Sequence, residues 1–107
     1  LKQFLIYYMN LSNLSDDHHW DVLYPNTPAG IGKTHVFMKS IEANDLDDAY
    51  MKMQGEMWSM GDEQEAAQEL VRKSGAEHTS MMIGDVIFDV QWAEFYMVDT
   101  VGFKHLC

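Results

Sequence analysis

The last third of the chain restricts the fold more than any other stretch. Gly84-Asp85 stands directly ahead of the β-branched run Val86-Ile87, and Glu94-Phe95-Tyr96-Met97-Val98 follows after Gln91-Trp92-Ala93. Glycine supplies the backbone freedom of a turn, and the aspartate beside it offers an acceptor to nearby amides, so the pair redirects the chain into a strand. The pattern predicts strands over about Val86 to Val90 and Glu94 to Val98, with a last extended piece around Phe103 to Leu106.

Earlier elements complete an α+β pattern. Gln3 to Met9 is rich in aromatic and aliphatic residues and precedes the turn formers Asn10 and Ser12, which predicts a strand. Asn13 to Lys33 holds both prolines with Gly30 and Gly32 and reads as loop, with a short helical turn near Ser15 to Val22. Thr34 to Glu42 alternates as a strand does but leaves no clean one-sided apolar face. Asn44 suits the N-cap of a helix that ends near Gly55, because Leu46, Ala49, Tyr50 and Met53 share one face. A second helix starts around Asp62, with Ala66, Ala67, Leu70 and Val71 in a stripe and Gly75 as its stop. Neither helix is flanked by the alternation that a parallel doubly wound sheet needs. The expected fold is therefore α+β, a mostly antiparallel sheet of four or five strands with two helices packed on one face.

Length and charge bound the function. The 107 residues suit one domain, and an apolar share of 47% is ample for a core. No apolar run has the length of a membrane helix, and the lone cysteine, Cys107, has no partner for a disulfide within the chain. These features predict a cytoplasmic protein. Its 17 acidic and 7 basic residues give a net charge of -10, which disfavours direct contact with nucleic acid or an anionic membrane and favours a basic protein as partner. Between positions 45 and 69, eight acids face one base, Lys52. Solvated helix faces account for such a run, with acids in the first turns where the helix dipole favours them, and so does a docking face.

Three motif-like strings carry little chemistry. Gly30-Ile31-Gly32-Lys33-Thr34 imitates the end of a phosphate-binding loop, yet Thr27 stands where the first glycine belongs and a strand follows in place of a helix. Asp16-Asp17-His18-His19 are adjacent on one chain, a spacing that seldom converges on one ion. Ser80, His78 and Asp85 lack a nucleophile elbow or an oxyanion loop. No catalytic residue, metal or cofactor is expected. The nine methionines include Met51, Met53, Met57 and Met60 beside the acidic run, where they fill the core or form an adaptable surface.

Four strings carry a family likeness. They are Asp45-Leu46-Asp47-Asp48-Ala49, Met53-Gln54-Gly55-Glu56-Met57-Trp58-Ser59, His78 to Ile87, and Tyr96-Met97-Val98-Asp99 with Gly102-Phe103. Together they resemble the YodL-like family of small domains, over about Thr34 to Leu106, with departures at Met57, Met60 and Met82, where a small serine is usual at the last of these. The resemblance implies an accessory protein of a phage, an integron cassette or another mobile element, and it brings no catalytic residues with it.

Two functions follow as expectations. The first is a protein-interaction module that docks on a basic host protein through Asp47, Asp48, Glu63 and Glu65, with Trp58 as an aromatic anchor. The second is a small ligand-binding or hydrolytic domain using the His78 to Asp85 region, with a site built from Glu56, His78, Ser80 and Asp85. A structural role for the same residues is the plainer expectation, Asp85 accepting backbone amides and Trp58 plugging the core. A strand near the N-terminus, if it lies at a sheet edge, also allows pairing with a second copy as a homodimer.

Overall fold

A computed structural model describes residues 1–9, 35–54, 64–74 and 79–106. Five strands form one sheet in the order β2-β1-β3-β4-β5, with every neighbouring pair antiparallel. They are β1 (Lys2–Met9), β2 (His35–Ala43), β3 (Val86–Asp89), β4 (Glu94–Val98) and β5 (Phe103–His105). Among the described residues, two helices, α1 (Leu46–Lys52) and α2 (Gln64–Ser74), lie between β2 and β3 in the chain. Because β2 and β3 both run antiparallel to β1, they are parallel to each other, and the helices carry the crossover between them. The expected α+β architecture is found, with an antiparallel five-stranded sheet and two helices among the described residues.

Period-two alternation makes β1 the centre of the core. Phe4, Ile6 and Tyr8 are fully buried on one face, against Ala49 of α1, Met53 at its C-cap and Ala67 of α2. Met38 and Ala43 of β2, Ile87 of β3, Val98 of β4 and Met81 complete this cluster. The alanines let the helix backbones come close to the sheet, and Tyr8 satisfies its buried hydroxyl by donating to the Thr79 carbonyl at 2.7 Å. Within the expected α2 stripe, Ala67 is buried and Leu70 and Val71 are half-buried, whereas Ala66 is exposed. Since β1 is hydrogen-bonded on both sides, it is no edge, and the edges are β2 and β5. The homodimer expectation, insofar as it used an N-terminal edge, loses that strand.

The irregular pattern of β2 has a physical cause. Ile6 pairs with Lys39 but Tyr7 pairs with Phe37, so Met38 is an extra residue, a β-bulge. The bulge switches parity, burying Met38 on the helix side while Phe37 stays 52% exposed on the other. That other face carries an aromatic row: Phe37 meets Tyr7 at 5.7 Å, Tyr7 meets Phe95 at 6.4 Å, and the cross-strand pair Phe88 and Phe95 lies at 4.5 Å.

Helix ends and turns differ from expectation by a residue or two. The N-cap of α1 is Asp45, not Asn44, and its carboxylate accepts the Asp48 N–H at 2.8 Å. Asp48 reaches back to the Asn44 N–H at 2.9 Å, much as in a capping box. The helix stops at Lys52, short of Gly55, because the Met53 carbonyl accepts from the Met81 N–H and the Tyr8 hydroxyl instead of a further turn. Strand β3 ends at Asp89, whose side chain accepts the Gln91 N–H at 3.0 Å and opens the turn, which closes through Ala93 at φ 54°. The expected helical turn near 15–22 and the start of the second helix at Asp62 lie outside the described residues.

Candidate functional site

Asp85 has a clear job in the backbone. It is fully buried at the entry to β3, with one carboxylate oxygen accepting the Met9 N–H at 2.9 Å and the other the Met82 N–H at 2.9 Å. Its own N–H bonds the Met82 carbonyl, and its carbonyl takes the Val98 N–H at 2.8 Å. Gly84, at φ 97°, makes the turn in a region that L side chains avoid. The buried His35 holds the Gly84 carbonyl at 2.6 Å through Nε2, and since a carbonyl only accepts, that nitrogen carries the proton. Asp85 thus ties the end of β1 to the turn that feeds β3.

This arrangement bears on the His78 to Asp85 site. Ser80 is exposed, while Asp85 is enclosed and committed to two amides. Glu56 and His78 lie outside the described residues. Among the described residues, no three His, Cys, Asp or Glu side chains gather in a way that holds a metal ion. The string Asp16 to His19 also lies outside them.

The acidic docking set divides. Asp47 is exposed in the first turn of α1, and Glu65 is exposed in the first turn of α2. Asp48 is engaged locally: its hydrogen bond from the Asn44 backbone, then Lys52 at 3.5 Å, hold its carboxyl below the usual carboxylate range. Trp58 and Glu63 lie outside the described residues. Of the clustered methionines, Met53 is buried and Met51 is exposed, while Met57 and Met60 also fall outside.

The geometry adds a cleft that was not apparent from the residue string. Among the described residues, helices α1 and α2 both lie over β2, and toward the β3–β5 end of the same sheet face α1 reaches Phe103 through Tyr50. There a cleft of about 480 Å³ opens between the start of α1 and the β3–β4 turn. Asp45, Asp47 and Glu94 line it with the rings of Trp92, Tyr96 and Phe103. On one wall, the ammonium of Lys2 lies 2.6 Å from the nearly buried carboxylate of Asp89 and 5.4 Å from the centre of the Phe4 ring. On the neighbouring strand, Tyr96 donates its hydroxyl to Glu94 at 2.6 Å, which, with burial, raises the phenol above its ordinary pKa. His105 stands 3.7 Å from the second Glu94 oxygen and packs beside the Tyr96 ring at 5.0 Å.

Sequence reasoning missed Lys2, Asp89, Glu94 and Tyr96 because their strands were read for apolar alternation alone. The available signal was parity. Asp89, Glu94 and Tyr96 occupy the same strand face as the core residues Ile87 and Val98, which marks one end of that face as polar.

The cleft's chemistry suits a cation. Four carboxylates, those of Asp45, Asp47, Asp89 and Glu94, share it with the single ammonium of Lys2. Asp45 takes two amides in the first turns of α1, its side chain the Asp48 N–H and its carbonyl the Ala49 N–H, and the carboxylates around the cleft repel an anion. No helix among the described residues is long and apolar enough to cross a membrane. Comparisons with protein-family models, with curated proteins and with solved structures find no match.

Proposed function

We propose that the protein is an interaction module that docks on a basic surface of another protein through the acidic side of α1 and the adjoining sheet end. The observation that carries the reading is Asp47, an exposed carboxylate with no hydrogen bond or ion pair to another described residue, at the rim of a cleft where acids outnumber bases. An unpaired charge of this kind keeps its full electrostatic reach for a partner, and the net charge of -10 steers basic surfaces toward it. A cytoplasmic accessory role in a phage or mobile element belongs to the same proposal and rests on the strings that resemble YodL-like domains.

The test is capture of bacterial proteins on the tagged protein, beside a variant carrying Asp47→Lys. Asp48 is left intact because α1 uses it. Basic proteins held by the native form, released by salt and not held by the folded variant are the expected result. Equal capture by both forms refutes the docking surface.

A further inference from the structure

The structure already shows how this cleft holds a cation. Lys2 is fixed between a carboxylate, Asp89 at 2.6 Å, and an aromatic ring, Phe4 at 5.4 Å. The rest of the cleft repeats those two ingredients, carboxylates at Asp47 and Glu94 and rings at Trp92, Tyr96 and Phe103. Asp47 has no partner among the described residues, and Trp92 is 64% exposed at the turn. An ammonium on a flexible four-carbon stem matches this lining, because the stem packs along the rings while the head reaches the acids. The volume of about 480 Å³ also falls in the range of ligand-binding sites.

We infer that the cleft between the start of α1 and the β3–β4 turn is a receptor for a lysine side chain presented by the basic partner, with Asp47 and Glu94 as the charge partners and Trp92 as the aromatic wall. This rests on the docking reading above and names the group that is recognised. Lys2 and Asp89 form the fixed wall, and the inserted ammonium takes the open side.

A fluorescently labelled nine-residue peptide alternating lysine and glycine serves as probe, with fluorescence anisotropy measured at low and physiological salt. The same peptide with acetylated lysines keeps the stems and loses the charge. Asp47→Asn and Glu65→Gln each remove one negative charge, the first in the cleft and the second on α2 away from its lining. Trp92→Ala removes the exposed ring. All three positions are exposed, so each variant keeps its fold, which circular dichroism checks. Asp47→Asn and Trp92→Ala are each expected to weaken binding by about threefold to tenfold, Glu65→Gln by less than about twofold, and acetylation to abolish it. If Asp47→Asn and Glu65→Gln act equally, or Trp92→Ala binds as the native protein does, the cleft is overturned while a diffuse acidic docking surface stands. If the native protein does not bind the unmodified peptide at low salt, both readings fall.

Discussion

Replacing Asp85 by alanine removes the acceptors of two backbone amides at once. The Met9 and Met82 N–H groups, each 2.9 Å from a carboxylate oxygen, are left without that partner next to a fully buried side chain. A hydrogen bond to a charged group contributes about 1.5–3 kcal/mol, so the pair accounts for about 3–6 kcal/mol. A domain of this size has a total stability of roughly 5–15 kcal/mol, which makes the loss a large share of it. Asp85→Asn is the more discriminating change, since it keeps the shape and one acceptor but turns an NH2 toward one of the two amides. It should lose about half as much as alanine or more. Urea unfolding followed by circular dichroism reads both variants. With a slope of about 1–3 kcal/mol per molar urea, a loss of 3 kcal/mol lowers the midpoint by about 1–3 M. Asp99→Ala serves as control, because that side chain makes a local contact with the neighbouring Thr100. A midpoint for Asp85→Ala within the spread of the Asp99→Ala control, or a native-like Asp85→Asn protein, would refute the staple and return Asp85 to consideration as a ligand group.

Asp45→Ala should destabilise the protein by about 0.5–2 kcal/mol in thermal or urea unfolding, and Asn44→Ala by less, because Asp45 is the residue that caps α1. The reverse order would show that the cap is misassigned. Tyr96 makes a prediction in pH. Its phenol is held above its ordinary pKa by the hydroxyl it donates to Glu94 and by burial. A raised folded-state value means that its contribution is complete below the unfolded value and disappears as pH rises through the folded one. The stability gap between native protein and Tyr96→Phe should therefore stay constant up to about pH 9 and narrow as pH rises beyond about 10, with Tyr96 among the last phenols to ionise by ultraviolet titration. A gap that stays constant beyond that point removes the Tyr96 to Glu94 bond from the account.

What could be read in the sequence was local. The β4 span from Glu94 to Val98 follows directly from its composition and from the turn ahead of it, and Gly84-Asp85 announces both its backbone geometry and its acceptor. The features that resisted reading depend on residues distant in the chain. The end of α1 is set by Met81 and Tyr8 taking the Met53 carbonyl, far beyond any helix signal within residues 45–55. The broken alternation of β2 makes sense only once β1 supplies the register that isolates Met38. The cleft is more remote still, since Lys2, Asp47 and Glu94 come together only through the strand order, and strand order follows from which pairings bury most. Acid counting found Asp47 for its charge and could not show that it borders a cleft.

The central place of β1 also governs the order of assembly. Phe4 pairs with Ile41 on one side and with Asp89 on the other, so the middle of the sheet is finished only when segments more than 80 positions apart in sequence have met. Such pairings require large loops to close before any contact offsets the lost chain entropy, which slows folding. During synthesis, β1 emerges before β3, and its β3 side has no partner until the Gly84-Asp85 turn has left the ribosome. For that interval, Phe4, Ile6 and Tyr8 belong to an open strand, and the growing chain is at its most vulnerable to pairing with another molecule.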